Sequence, residues 1–259
     1  MASARVKILA VVEVLMVFSA AALAFRGLSA SALLPARAGM PWPAYAAVLL
    51  IGLLAAARLG FAAGGIRLRP LRPLLRVAAA GLLPFLMLSG VLSFVNWRQP
   101  AGALIATLAA LAALVITAAA LKKPLPRSPA STLAALALAV PLSGLLGAVL
   151  LRSAYVYLLV APAEEVLFRG YIQGRLNDAW GRPFRFFGVE WGWGAVISAL
   201  LFGLWHPLLM PSAPGVWWQA LWTAAAGLAL AYLRERSQSV LPSSLLHGVM
   251  NYIPFSELL

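Results

Sequence analysis

Two adjacent carboxylates, Glu164 and Glu165, and an arginine four residues on, Arg169, lie within an apolar run, Ala-Pro-Ala-Glu-Glu-Val-Leu-Phe-Arg-Gly from Ala161 to Gly170. The chain has only seven acidic residues, and two of them stand here side by side. An ionised group near a bilayer centre costs at least about 2.5–3.5 kcal/mol and marks a functional candidate. On a helix Glu165 and Arg169 are i, i+4, share a face and can pair. Glu164 lies about 100° round the axis and points elsewhere. A structural ion pair accounts for Glu165 with Arg169 and leaves Glu164 over. Neighbouring acids in a low dielectric resist joint ionisation, which suits one of them to accept a proton as a general base.

The chain has two histidines, and both fall in late apolar runs. His206 ends Leu-Leu-Phe-Gly-Leu-Trp-His, with Phe202 one turn earlier on the same face. His247 sits in Ser-Leu-Leu-His-Gly-Val-Met-Asn, with Asn251 one turn later. A lone histidine in a span is usually a packed, hydrogen-bonded residue. Two of them, with an asparagine and embedded glutamates, shift that balance. His247 and Asn251 on one stripe can both donate to one oxygen, the requirement of an oxyanion hole. Glu164 with His206 can hold and deprotonate a water.

The elements that must position these groups are membrane helices. Of 259 residues 63% are hydrophobic and 10% charged, against about 25% charged in soluble domains. The fold class is therefore all-α, a polytopic transmembrane bundle of about 8–9 spans. Apolar runs near the ~20 residues needed to cross a bilayer fall at 8–25, 45–63, 77–95, 101–121, 132–151, 154–174, 192–210, 216–233 and 240–258. Pro207 and Pro254 interrupt the seventh and ninth. The first follows Arg5 and Lys7, and Ala22-Leu23-Ala24 resembles a signal-peptidase site. Its length and Glu13 favour a retained span.

The net charge of +13 does not point to nucleic acid, because the basic residues sit in short loops where they set topology. Fourteen Lys and Arg fall in one set of alternate segments and four in the other, which supports a cytoplasmic N-terminus. With no cysteine, disulfides, thiol catalysis and Cys-ligated metal are excluded. The loop Lys122–Arg127, with Pro124 and Pro126, divides N-terminal accessory helices over 1–130 from a core over 131–259 that carries the glutamates and histidines, expected to be the catalytic part on the resemblance given below. Before it lie four runs almost without polar features, which read as scaffold.

Taken in order, Glu-Glu-x-x-x-Arg at 164–169, Phe-x-x-x-His at 202–206 and His-x-x-x-Asn at 247–251 resemble the CPBP family, the type II CAAX prenyl endopeptidases and bacteriocin-processing (Abi) proteins. The trailing Phe168-Arg169-Gly170 is also typical, and the resemblance covers about 130–255. It implies an intramembrane glutamic endopeptidase. Glu164 would activate water, helped by His206. His247 and Asn251 would stabilise the oxyanion. Glu165 and Arg169 would support them, and Phe202 would shape the pocket. The substrate would be a membrane-anchored or lipidated protein, with the lipid bilayer as surroundings, in a bacterial inner membrane.

A zinc held by Glu164, His206 and His247 is chemically admissible. The His-Glu-x-x-His spacing of many zinc proteases is absent, and the resemblance implies catalysis with no cofactor. A proton-coupled transporter would need polar residues along a path to both faces, which the first four runs do not supply. A non-catalytic scaffold or bacteriocin-immunity role is the other alternative. The depths of Glu164 and His206 in their runs favour a cavity near mid-membrane that opens outward, whereas His247, in the inner third of its run, pulls the other way.

Overall fold

Ala- and Leu-rich runs surrounded by lipid must satisfy every backbone N–H and C=O within the segment, and a helix does so. The computed structural model describes residues 2–30, 41–67, 70–122, 153–211 and 215–252. Its helices are α1 (Ala4–Ala30), α2 (Trp42–Leu59), α3 (Leu71–Phe94), α4 (Pro100–Lys122), α5 (155–180), α6 (Trp193–Leu209), α7 (Val216–Ser237) and α8 (Leu241–Tyr252). Between α5 and α6 lies an antiparallel hairpin, β1 (Phe184–Phe186) and β2 (Val189–Trp191).

By length and apolarity α1, α2, α3, α4 and α7 can each cross a membrane, and α6 is a shorter apolar helix. That makes five candidate spans among the described residues, where the sequence suggested eight or nine. The run at 132–151 lies outside the described residues, as does Pro254. Glu13, in the first run, pairs with Arg175 of α5 at 2.6 Å. Pro207 does not interrupt its helix: α6 runs through it to Leu209. The fold is all-helical as expected, and this short hairpin is its addition. Its register pairs Phe184 with Trp191 and Phe186 with Val189. The tight turn at Phe187 and Gly188 has positive φ at both residues, as a two-residue hairpin loop requires.

One end of the bundle gathers the basic segments. Arg234 donates to Ala63 O at 2.5 Å, Ser239 Oγ to Arg67 O at 2.5 Å and Arg236 to Leu121 O at 3.1 Å. Lys122 Nζ lies 4.8 Å from the centre of the Phe187 ring. These are segments that the charge alternation assigns to a single side. At the opposite end Trp42 of α2 packs on Tyr155 of α5, ring centres 4.6 Å apart.

Two apolar cores result. One joins α3, α4, α7 and α8 through residues such as Phe85, Leu114, Leu230 and Leu246. The other joins α1, α2, α5 and α6 through Phe18, Val48, Phe168 and Trp205. Close helix crossings hold them. At Gly52 an added Cβ would lie 3.2 Å from Leu167 N, so α2 lies directly on the α5 backbone. At Gly203 it would lie 2.6 Å from Ala220 O and 2.8 Å from Ala224 Cβ. Gly203→Ala should therefore push α6 from α7 and destabilise the protein by about 1–3 kcal/mol, read as a lower thermal midpoint in detergent.

Candidate active site

The carboxylates sit on an unusual helix. Within α5, Tyr155–Val160 and Val166–Ile172 are π-helical, and Ala161–Glu165 between them is α-helical. The junction residues keep right-handed helical dihedrals, so the chain continues as one rod. π-Helical turns are rare and occur frequently at functional sites. Here one stands on each side of Glu164 and Glu165.

Glu165 and Arg169 pair as their spacing requires, at 2.8 Å and both wholly buried. The same oxygen, Oε1, faces His247 Nδ1 at 3.0 Å. Arg169 also donates to Gly227 O of α7 at 3.2 Å, and its guanidinium carbon lies 4.2 Å from the centre of the Phe202 ring. One guanidinium thus ties α5, α6 and α7 together. Phe202 in turn meets the rings of His206 at 5.9 Å and His247 at 5.4 Å, both edge-on.

α8 delivers its residues from a fixed frame. Val240 N donates to Gly65 O at 2.9 Å, and Ser89 Oγ of α3 donates to Val249 O at 3.3 Å. Between these anchors, His247 stands between the two carboxylates. Its Nδ1–H donates to Glu165, so Nε2 of the neutral ring is an acceptor. Asn251 Nδ2 reaches Nε2 at 3.0 Å, and Glu164 Oε2 lies 3.6 Å from it. Glu164, Glu165, Arg169, Phe202, His247 and Asn251 therefore come together.

His206 joins them differently from the expectation. It packs beside Phe202, whose backbone it also faces, and among the described residues no hydrogen bond joins it to Glu164. Glu164 does not point away from Glu165's partners either, since both acids address His247. Among the described residues no three His, Asp or Glu side chains form a group able to hold a metal ion. The set Glu164, His206 and His247 weighed for zinc does not converge.

Two features escaped the sequence reading. Around Glu164 stand Tyr45 of α2, whose hydroxyl faces the carboxylate, and Trp205 of α6, whose indole N–H is directed at it. Tyr45 comes from a run read as scaffold, where a tyrosine reads as an interfacial anchor.

The second is a buried polar cluster at the basic end. Glu235 Oε1 accepts from Gln173 at 2.8 Å, Asn177 at 2.6 Å and Arg234 at 3.2 Å. Its Oε2 accepts from Arg182 at 3.0 Å. Asn177 also takes the Gly194 N–H at 3.0 Å, which seats the start of α6 on α5. The adjacent Arg234-Glu235 at the end of a span reads in sequence as a solvated pair. In the structure it is the buried joint of α5, α7 and the hairpin.

No curated protein and no solved structure matches the chain. A family model described as type II CAAX prenyl endopeptidase Rce1-like matches residues 146–253. The match takes in Glu164, Glu165, Arg169, Phe202, His206, His247 and Asn251, and leaves out Tyr45. The chain is an integral membrane protein whose 146–253 domain belongs to the CPBP family of proteases.

Proposed function

We propose that the chain is an intramembrane glutamic endopeptidase that hydrolyses a peptide bond of a membrane-anchored or lipidated protein. The observation that carries this reading is the unequal treatment of two buried acids. Glu165 is committed to Arg169 and His247, whereas among the described residues Glu164 has no arginine in ion-pair contact and faces His247 at 3.6 Å. An interior acid with no arginine in ion-pair contact among the described residues is placed to take up a proton.

In the reaction Glu164 removes a proton from water as the water oxygen bonds to the scissile carbonyl carbon. The carbonyl pair moves onto oxygen. His247 Nε2, 3.6 Å from Glu164, takes the proton that Glu164 has gained through one bridging water, and on doing so becomes a donor. With Asn251 it then serves the oxyanion. Glu165 and Arg169 hold His247 in register, and His206 and Phe202 border the reacting atoms. Collapse of the intermediate breaks the C–N bond, and the proton passes to the leaving amine. Glu164, His247 and Asn251 carry the chemistry beside His206 without a metal, as in Rce1-like proteases.

On the same reading the core over 131–259 is catalytic, and the basic end faces the cytoplasm with the N-terminus. The membrane is a bacterial inner membrane, and the cavity opens outward. The chain has no cysteine, so Met210→Cys, at an exposed position, gives a single reporter. It should react with an impermeant maleimide added outside cells; reaction only in inverted vesicles reverses the orientation.

The function is tested by comparing the masses of membrane-anchored proteins in host cells that lack the protein, or carry the wild type or Glu164→Gln. A shortened product should appear with the wild type alone. Identical protein masses in all three reject the proposal.

A further inference from the structure

A buried carboxylate needs hydrogen-bond partners, because leaving it without them costs several kcal/mol. Arg169 supplies them to Glu165. Glu164 has no arginine in ion-pair contact among the described residues. Besides His247, it is faced by two neutral donors, the Tyr45 hydroxyl of α2 and the Trp205 indole N–H of α6. The backbone explains how Tyr45 comes there. α2 and α5 run side by side in the same direction, with Trp42 on Tyr155 at one end and Gly52 against Leu167 further along. Tyr45 packs on the cluster of Tyr155, Val156 and Val160. Glu164 lies one turn beyond Val160 in an α-helical stretch, where side chains lean toward the N-terminus. Its carboxylate therefore leans back toward Tyr45. Neither donor ring is free to turn away. Trp205 is wholly buried and held by the rings of Phe18, Phe25 and Phe168 at 5.7, 6.0 and 5.5 Å. Tyr45 is held by Phe25 at 4.9 Å and Tyr155 at 5.9 Å. Phe25 of α1 thus packs against both donors.

We propose that Tyr45 and Trp205 are positioning residues for Glu164, two neutral donors that fix the carboxylate without compensating its charge. This rests on the endopeptidase reading. An arginine in their place would hold the group and also stabilise its charge, as Arg169 does for Glu165, and a carboxylate so paired is a weaker base. Neutral donors on immobile rings set the direction of the carboxylate and leave its charge for the proton of the water. A carboxylate offers about four lone-pair directions, so two donors leave room for the water and for the approach to His247. Glu164 must already point at the water when the water oxygen bonds to the carbonyl carbon. Tyr45 and Trp205 act through that orientation, which bears on the chemical step rather than on substrate binding. Tyr45, Phe18 and Phe25 lie on α1 and α2, outside the family match. These two helices are then a working part of the catalytic unit.

The test uses the full chain in lipid nanodiscs and a synthetic membrane-anchored peptide. The peptide spans a junction that host cells cut only when Glu164 is intact. Tyr45→Phe and Trp205→Phe each keep an aromatic ring and lose one donor. Each should lower kcat by about 10- to 100-fold, the range for loss of a partner that orients a reacting group. KM should stay within about twofold, because neither donor touches the substrate. A kcat within about threefold of wild type in either folded variant, or a change in KM larger than that in kcat, overturns the proposal. Thermal midpoints are measured alongside; if Trp205→Phe does not fold, Tyr45→Phe, which removes a single oxygen atom, decides. When the junction is cut and the variants cut it as well as wild type, this proposal alone fails. If no junction is cut in a Glu164-dependent way, the endopeptidase reading fails and this proposal fails with it.

Discussion

Glu164→Gln should lower turnover by about 10³- to 10⁴-fold, the upper range for loss of a general base, while the protein stays folded. Glutamine keeps the size and the hydrogen-bonding edge of the side chain but cannot take a proton from water. Because Glu164 has no arginine partner, its replacement by a neutral group leaves no cation unpaired. Glu165→Gln, one residue away, should behave in the opposite manner. It weakens the 2.8 Å pair with Arg169, which is wholly buried, and an uncompensated buried charge costs about 3–5 kcal/mol. The check is to measure peptide cleavage and thermal midpoint on both purified variants. The division of labour holds if activity alone falls in Glu164→Gln and stability falls in Glu165→Gln. It fails if the two variants lose stability alike.

The second large effect lies away from the chemistry. Glu235→Ala should destabilise the protein by about 3–5 kcal/mol. Glu235 is 3% exposed and accepts from Gln173, Asn177, Arg234 and Arg182. Its removal leaves two guanidinium groups without their carboxylate, Arg234 among them at 1% exposed. The end of α5, the end of α7 and the hairpin lose their common joint. Midpoints of thermal or detergent-induced unfolding measure this. A midpoint within about 1 °C of wild type would show that the cluster contributes nothing, since 1 kcal/mol shifts a domain of this size by about 2–4 °C.

How much of this was legible beforehand depended on distance along the chain. The Glu165–Arg169 pair was readable because both partners lie on one helix at i, i+4. The stripe of His247 and Asn251 was readable for the same reason, and their side chains do meet, at 3.0 Å. What the stripe could not show was that His247 turns its other nitrogen to Glu165 on a different helix. Nor could it show that Arg169 lies over Phe202, since such contacts depend on how helices cross. Tyr45 was passed over because a tyrosine near a span end has an ordinary interfacial use, and only the docking of α2 on α5 brings it to Glu164. Glu235 was passed over because a charge beside Arg234 and Arg236 looks solvated until the hairpin covers it. The hairpin was itself hidden by brevity: three-residue strands carry little alternation to detect. Pro207 was read as a break, yet it sits two residues before the end of α6 at Leu209.

The central claim is that water poised at Glu164 cuts a peptide bond inside the bundle. It is tested most directly by a single turnover of the reconstituted full chain on the anchored peptide in water enriched in heavy oxygen, with both products weighed by mass spectrometry. The account predicts one heavy oxygen atom in the new carboxyl terminus, none in the Glu164 side chain, and no product from Glu164→Gln. Heavy oxygen found in Glu164 would mean that the carboxylate attacked the substrate itself, and unimpaired cleavage by Glu164→Gln would mean that the chemistry lies elsewhere; either result contradicts the account.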